Sequence, residues 1–292
     1  MSQSQSRLWV VALLLLAGGV IVGFSLSVPP AVPVRAIEHD SQASGREAWS
    51  IHFTPVLTHY LYLSFVSKAD PCAPIPGESY ATLLVVEKED VPRPAEVHPD
   101  KNLAIRGYER TAGDTGLITG GWGGWNSPRP ELPNMCASGC RPPFSSLYQA
   151  YHWDWEHSCR GPVITDPPVT LVGMSTQFAE PIRVPAWDGD TGGGYDAMVL
   201  YATTERITLL YSPYGPCDSV VCGYTIHVEG VCVEPNLLAL YDQVNAQGRV
   251  YLPVLRGGQA FGRARGGEIL VAVRDSPGSF HDPRHENFWP GY

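Results

Sequence analysis

Apolar and polar residues alternate in several short runs of the chain, a period of two that is typical of β-strands with one buried face. The clearest run is residues 223–229 (GYTIHVE). On a strand its apolar side chains share one face and its polar side chains share the other. The apolar face has Tyr224, Ile226 and Val228, and the polar face has Thr225, His227 and Glu229. We therefore expect a half-buried strand here.

Further runs of β-branched and aromatic residues lie between turn signals and predict more strands. They are residues 60–66, 80–87, 169–173, 182–185, 197–202, 206–211 and 268–274. Residues 197–202 and 206–211 flank a three-residue link and predict a hairpin, and the first two runs predict a strand pair.

One segment has helical spacing instead. Pro235 suits the first helical position and Gly248 suits a stop just past the end. Between them the apolar residues recur at intervals of three and four, at Leu237, Leu238, Leu240, Tyr241 and Val244. We expect one short amphipathic helix.

The composition supports the same fold class. The chain of 292 residues contains 30 glycines and 27 prolines, which disfavours a helical protein. The sequence predicts a mainly β protein, a β-sandwich or sheet ectodomain with one short helix.

The N-terminal segment indicates where in the cell the protein is located. Residues 8–26 (LWVVALLLLAGGVIVGFSL) carry no charge and are long enough to span a bilayer as one helix. Two interpretations stay open, an uncleaved anchor and a cleaved signal peptide. We expect a cytoplasmic tail at 1–7, a transmembrane anchor or signal segment at 8–27 and a Pro/Ser/Ala-rich spacer at 28–47. The protein is then a single-pass cell-membrane protein, with the membrane as a partner through this helix and most of the chain extracytoplasmic.

The rest of the chain divides into two expected regions. Residues 48–165 are a β-rich N-terminal region and residues 166–292 a second β domain, although one continuous ectodomain stays open. Residues 91–100 read as a loop and a further possible boundary. Residues 116–143 form a long irregular segment, which in a compact domain is usually functional or disordered.

Seven cysteines fit an oxidising compartment. Two local clusters are the disulfide candidates: Cys136, Cys140 and Cys159, and Cys217, Cys222 and Cys232. Zinc knuckles are the alternative, but the spacings differ from the usual two-residue pairs. We expect Cys217 to pair with Cys222 across a turn.

Residues 148–159 (YQAYHWDWEHSC) are the densest polar and aromatic cluster. On one continuous strand His152, Asp154 and Glu156 share a face, and Trp153, Trp155 and His157 share the other. His and carboxylate side chains at this spacing are a candidate metal site, completed by His157 and the distant His227. The alternative is a strand with a polar outer face and a packed tryptophan face.

Charge and motifs exclude several function classes. The net charge is −9, and only three of the 20 basic residues are lysines, which gives no basic footprint for nucleic acid. The chain has no G-x-S-x-G motif. Tryptophans are the main candidate recognition residues, since they stack on sugar rings, or else they fill the core. The candidates are Trp122, Trp125, Trp153 and Trp155, with Trp187 as a further one.

The order of several short motifs resembles the β domain of the LytM/M23 zinc endopeptidases that cut peptidoglycan cross-links. Residues 182–189 (IRVPAWDG) look like that family's opening strand "V-x-A-x-x-G", and residues 223–229 look like "G-x-x-V-x-I". Residues 257–262 (GGQAFG) look like "x-x-G-Q-x-I-G", and residues 278–283 look like the closing "G-x-x-x-D-P". Residues 240–241 fall where the family writes "L-Y-A-H".

The resemblance implies a zinc site, but this chain departs from the family at the ligands. The "Y-A-H" position reads Tyr241-Asp242-Gln243 and the "H-x-H" position reads Glu268-Ile269-Leu270. In chain order His152 stands where the family has its first zinc histidine. Residues 166–292 are therefore expected to be a degenerate LytM/M23-type domain that keeps the sheet and has lost the metal.

These observations favour a non-catalytic, membrane-anchored envelope protein that needs no cofactor. Its expected partners are cell-wall glycan or another envelope component. Two alternatives are an active zinc metallohydrolase of the cell-wall peptidase type and a purely structural subunit of an envelope complex.

Overall fold

The computed structural model describes residues 70–90, 92–120, 128–137, 140–220, 222–275 and 278–292. The apolar segment 8–27, the spacer 28–47 and the predicted strand 60–66 lie outside these residues. Among the described residues, no helix combines the length and the apolar character that crossing a bilayer requires.

The described part of the chain is mainly β, as the sequence predicts. The strands of the first half are β1 (Ala81–Leu84), β2 (Tyr108–Thr111), β3 (Ser146–Asp154), β4 (Cys159–Val163), β5 (Leu171–Ser175) and β6 (Pro181–Arg183). The strands of the second half are β7 (Ala197–Ala202), β8 (Arg206–Tyr211), β9 (Tyr224–Glu229), β10 (Val231–Val233), β11 (Tyr251–Leu255), β12 (Ala260–Ala264), β13 (Glu268–Arg274) and β14 (Phe280–His281). Two α-helices, α1 (Leu103–Arg106) and α2 (Pro235–Ala246), and two 3-10 turns, Ala95–Val97 and Glu286–Phe288, complete the set.

Eleven strands form one antiparallel sheet in the order β1-β11-β7-β8-β9-β13-β5-β3-β2, with β14 beside β13 and β4 beside β3. A second, smaller sheet has the order β10-β12-β6. Strands from 48–165 and from 166–292 thus share the large sheet, and the described residues belong to one compact unit, Ser64–Tyr292. The boundary expected near residue 165 does not separate two sheets.

Local sequence patterns predict the strands where strand and turn signals are close together. The predicted hairpin is confirmed as β7 and β8, and the predicted strand 268–274 is confirmed as β13. The predicted partner of residues 80–87 lies outside the described residues, and β1 pairs with β11, with Leu83 opposite Leu252.

The predicted helix is confirmed as α2. Pro235 is its first residue, and the carboxylate of Glu234 accepts a hydrogen bond from the Leu237 N–H at 2.9 Å. This side-chain cap satisfies a donor that the first helical turn leaves free. Gly248 follows the helix with φ +84°, a left-handed conformation that favours glycine.

The main core lies between the two sheets. It includes Ile226 and Val228 of β9, Val231 of β10, Phe261 of β12 and Leu237 of α2. The apolar face that the sequence predicts for β9 therefore packs where it was expected.

The opposite face of β9 corrects the prediction of a half-buried strand. Every residue of β9 is buried, including Thr225, His227 and Glu229. The reason is that β9 is central and residues 98–106 lie over its polar face. The Thr208 hydroxyl on β8 donates to the Lys101 carbonyl oxygen at 2.6 Å, which joins this cover to the sheet.

Charged groups beneath the cover are compensated by one another. Arg274, which is 1% exposed, places Nη2 3.0 Å from the Asp100 carboxylate, and Arg106 also donates to that carboxylate. Burial by itself raises the pKa of Asp100, but the two guanidinium groups outweigh it and hold the pKa below its ordinary value. A second pair joins Lys101 Nζ to Glu89 at 3.3 Å.

We expect Asp100→Asn to destabilise the fold by about 3–5 kcal/mol, because two buried guanidinium groups lose the carboxylate with which they form ion pairs. Urea unfolding followed by circular dichroism measures this change. The control is Glu205→Gln, which breaks the exposed ion pair with Arg265 (2.9 Å) and should have a much smaller effect. Equal losses in the two variants would contradict the assignment.

His227 is buried in the same layer. Its Nδ1 lies 3.0 Å from the Thr208 hydroxyl oxygen, and since that hydroxyl donates to Lys101, the Nδ1–H of His227 donates to Thr208. Burial, reinforced by the nearby Arg274, lowers the pKa of His227 well below its ordinary value. The imidazole is therefore neutral in the folded protein at neutral pH.

The sign of the resulting pH dependence follows from linkage. Below an ordinary histidine pKa of about 6.5, His227 binds a proton in the unfolded chain but stays neutral in the folded chain. The free energy of unfolding therefore decreases as the pH falls. We expect this contribution to approach a slope of about 1.4 kcal/mol per pH unit below that value. Urea unfolding at pH 7.5 and 5.5 should show a smaller loss of stability in acid for His227→Gln than for the parent chain, and equal losses in the two proteins would contradict this assignment.

Candidate functional site

The cluster at residues 148–159 is a hairpin and not one strand. Strand β3 ends at Asp154, residues 155–158 form a turn, and β4 begins at Cys159. His152 and Asp154 lie on β3, but Glu156 and His157 lie in the turn, so the expectation that Glu156 shares their face is wrong. The alternation of residue types continues into the turn, although the backbone reverses there.

The turn is built around one carboxylate. Asp154 accepts the His157 backbone N–H at 3.0 Å, and its second oxygen lies 2.8 Å from His157 Nδ1. Both side chains are exposed. His227 is buried in β9 beneath the 98–106 cover. The five residues that the sequence suggests as an alternative metal site are therefore not brought together as one group of ligands.

Within the described residues, one group of three His, Cys, Asp or Glu side chains lies close enough to share an ion. It consists of Glu87, Cys217 and Cys222. The two sulfur atoms are bonded to each other and are therefore not available as thiolate ligands.

The described tryptophans divide between core and surface. Trp187 is buried with its ring 5.7 Å from that of Tyr211, and Trp153 is half-buried. Trp155 is 47% exposed, but Arg93 lies over its ring at 5.3 Å and His98 meets it edge-on at 5.6 Å. Trp122 and Trp125 lie outside the described residues.

Three disulfides are present, Cys72–Cys232, Cys136–Cys140 and Cys217–Cys222. The specific pair expected from sequence, Cys217–Cys222, is formed. Cys159 was among the candidates but carries a free, exposed thiol. The third disulfide instead joins Cys72 to Cys232, which are 160 positions apart. The spacing of cysteines along the sequence does not predict a pair at this separation.

A polar cleft of about 520 Å³ opens between the segment preceding β1 and the turn joining β11 to β12. We call it the Arg256 cleft. Its lining residues are Gly77, Glu78, Ser79, Tyr80, Ala81, Tyr195, Arg256, Gly257, Gly258 and Gln259.

Hydrogen bonds to the turn and to β12 fix the first wall. Glu78 accepts the Ala260 N–H at 3.2 Å, and the Ser79 carbonyl accepts from the Gln259 side chain at 2.9 Å. The Tyr80 hydroxyl donates to the Ala260 carbonyl at 2.9 Å. Burial, with Glu234 and Glu78 nearby, raises the pKa of Tyr80 above its ordinary value, so the phenol keeps its proton and remains a donor.

The second wall is organised around Arg256. Its guanidinium lies 4.4 Å from the ring centre of Tyr195 and donates through Nη1 to the Gly194 carbonyl at 2.9 Å. The Arg256 backbone N–H donates to the Gln259 side-chain oxygen at 3.0 Å. The first two contacts position the Arg256 side chain, and the third fixes the backbone of the turn.

Two glycine motifs make this wall possible. A Cβ at Gly257 would lie 2.5 Å from a carboxylate oxygen of Asp196, so a larger residue here would displace the Asp196 side chain. The triplet 192–194, which the sequence indicates is a turn, has positive φ at each residue. Asp190 closes this loop by accepting the N–H groups of Gly192 at 2.7 Å and Gly194 at 3.0 Å.

The cleft combines an aromatic ring, a cation, a carboxylate and an amide, which are the groups that orient a polar ligand in a pocket of this size. Sequence reasoning missed Tyr80, Tyr195 and Arg256, because they come from three separate segments and follow no common period. The Gly-Gly-Gln and triple-glycine motifs were the only signals near them.

The chain matches no protein-family model, no curated protein and no solved structure. The segments that carry the LytM/M23 resemblance include parts of β6, β9, α2 and β12. At the "Y-A-H" position Tyr241 is buried in α2, and at the "H-x-H" position Glu268 begins β13 and accepts hydroxyl hydrogen bonds from Ser145 and Ser146 at 2.6 Å each.

The Cys72–Cys232 disulfide ties the residues before the cleft to β10. We expect the Cys72→Ser/Cys232→Ser double variant to lose about 2–5 kcal/mol of stability, because the bond closes a long loop in the unfolded chain. Amide hydrogen exchange at residues 77–81 should also become faster. The control is Cys136→Ser/Cys140→Ser, which opens a four-residue separation and should leave exchange at 77–81 unchanged. Equal protection of 77–81 in both variants would show that the disulfide does not support the cleft.

Proposed function

We propose that the chain is a membrane-anchored extracytoplasmic protein that binds cell-wall material or another envelope component without hydrolysing it, and that residues 166–292 are a degenerate LytM/M23-type domain. The observation that carries the binding proposal is the Arg256 cleft, whose polar and aromatic groups are fixed in advance. The uncharged segment 8–26 and the three disulfides support an exported, tethered protein.

The non-catalytic part of the proposal rests on the chemistry of the matching positions. Zinc catalysis requires three protein ligands and one open position. Leu270 has no ligand atom, and Glu268 is already engaged by two serine hydroxyls. Tyr241 is buried against Tyr201, with ring centres 6.4 Å apart, and serves the core.

The negative net charge of the chain favours binding at a specific site, such as the Arg256 cleft, over non-specific electrostatic adhesion to the wall. A net charge of −9 opposes non-specific attraction to anionic wall polymers. Binding then depends on local groups such as the Tyr195 ring and the Arg256 guanidinium. A preorganised pair of this kind limits the entropy that is lost on binding.

The test is a pull-down of the full-length chain, purified in detergent, on isolated cell-wall sacculi, with zinc assayed in the same sample. We expect retention without bound zinc and without release of wall fragments. Tyr195→Ala should weaken retention roughly tenfold, because it removes the stacking surface and loosens Arg256. Tyr214→Ala, at a tyrosine that is 76% exposed and outside the cleft, is the matched control.

Each other result has a definite meaning. Absence of retention contradicts the wall-binding proposal and favours a structural role with a protein partner. Stoichiometric zinc together with soluble wall fragments would overturn the non-catalytic assignment.

A further inference from the structure

We propose that the Arg256 cleft recognises a carboxylate on its ligand, through the guanidinium edge of Arg256. This inference rests on the proposed function for the source of the ligand, but its chemistry is argued from the cleft itself. The shared chemistry is a free carboxylate on a small polar unit, supplied either by the C-terminus of a short peptide or by an acidic sugar.

Arg256 is held in the cleft by an aromatic ring and a backbone carbonyl and not by a carboxylate. Ion pairs to carboxylates hold six arginines, namely Arg106, Arg206, Arg249, Arg265, Arg274 and Arg284. Among the residues that the structure describes, Arg256 makes no ion pair. Arg160 is also held by backbone carbonyls and an aromatic ring, but its Nε and Nη2 groups are the ones that donate, whereas Arg256 donates through Nη1 and lines the cleft.

The hydrogen bonds of Arg256 leave one edge of the guanidinium available. Nη1 donates to the Gly194 carbonyl, and the guanidinium carbon lies over the Tyr195 ring. Within the described residues, Nε and Nη2 have no acceptor. These two N–H groups are parallel, and they match the two oxygens of a carboxylate.

The remainder of the cleft limits what carries the carboxylate. About 520 Å³ lies within the usual range for small-ligand sites and accommodates a unit about the size of a dipeptide or a monosaccharide. The Glu78 carboxylate in the first wall disfavours a second anionic group, so the geometry points to a ligand with one carboxylate and otherwise neutral polar groups.

Isothermal titration of the full-length chain in detergent tests the proposal with four probes. They are N-acetyl-alanyl-alanine, its C-terminal amide, glucuronic acid and glucose. We expect at least one acid to bind more tightly than its neutral counterpart, roughly tenfold or more, because a charge-assisted pair is lost in the neutral probe. The peptide pair and the sugar pair separate the two sources.

The variants identify the residue. Arg256→Gln should remove the preference for the acid, and Arg256→Lys should restore only part of it, because a lysine ammonium does not form the bidentate contact. Arg110→Gln changes an exposed arginine on β2, at the far end of the sheet order from β1, and should bind like the parent chain. Unchanged thermal unfolding in all three variants shows that the fold is intact.

The outcomes separate this inference from the proposed function. Equal binding of acid and neutral probes, or an unchanged preference in Arg256→Gln, overturns the carboxylate assignment even if sacculi retain the protein. Preference for an acid that depends on Arg256 supports the assignment. If that preference is found while sacculi do not retain the chain, the cleft chemistry stands and the cell wall is not its source.

Discussion

The burial of polar side chains on both flanks of the central strand constrains the rest of this fold. Strands β8, β9 and β13 each send one face into the main core, while Thr208, His227 and Arg274 project from the other face. Water does not reach these groups, since residues 98–106 lie over them, and a buried guanidinium without a partner would cost several kcal/mol. Asp100, brought in by the covering segment, supplies the charge that makes this arrangement possible. The sequence predicts a loop and a possible boundary at residues 91–100, but the described part of this segment, residues 92–100, is an integral part of the domain.

The segment that precedes the cover, residues 72–84, explains where the cleft lies. Before it reaches the cover, the chain runs along the small sheet, where Cys72 is bonded to Cys232 and Tyr80 donates to Ala260. It then joins the edge of the large sheet as β1. This segment forms one side of the cleft, and the turn before β12 forms the other side. The cleft is thus a consequence of how the two sheets are connected.

The sequence was informative where the interactions are local. Strands β7, β8 and β13 and the helix α2 follow from residue periodicity and from capping residues such as Pro235 and Gly248, all of which act over a few positions. It failed where a partner is distant. The polar face of β9 looked solvent-exposed because Asp100 lies more than a hundred positions earlier. Glu156 looked like part of a strand because the alternation continues through a turn, which ends at Ser158 with φ +51°. The pairing of Cys72 with Cys232, and the meeting of Tyr80, Tyr195 and Arg256, depend on the completed topology.

A comparison of two arginines shows how one residue type serves opposite purposes in this chain. Arg274 is 1% exposed and its charge is neutralised within the protein by Asp100. Arg256 is exposed and its position is fixed by groups that do not neutralise it, an aromatic ring and a backbone carbonyl. A carboxylate partner for Arg256 would immobilise it equally well, but it would leave the guanidinium with no charge to offer a ligand. The Tyr195 ring and the Gly194 carbonyl position the guanidinium of Arg256 without neutralising its positive charge. Arg274 is thus neutralised within the protein, whereas the cationic group of Arg256 lines the open cleft together with the Glu78 carboxylate.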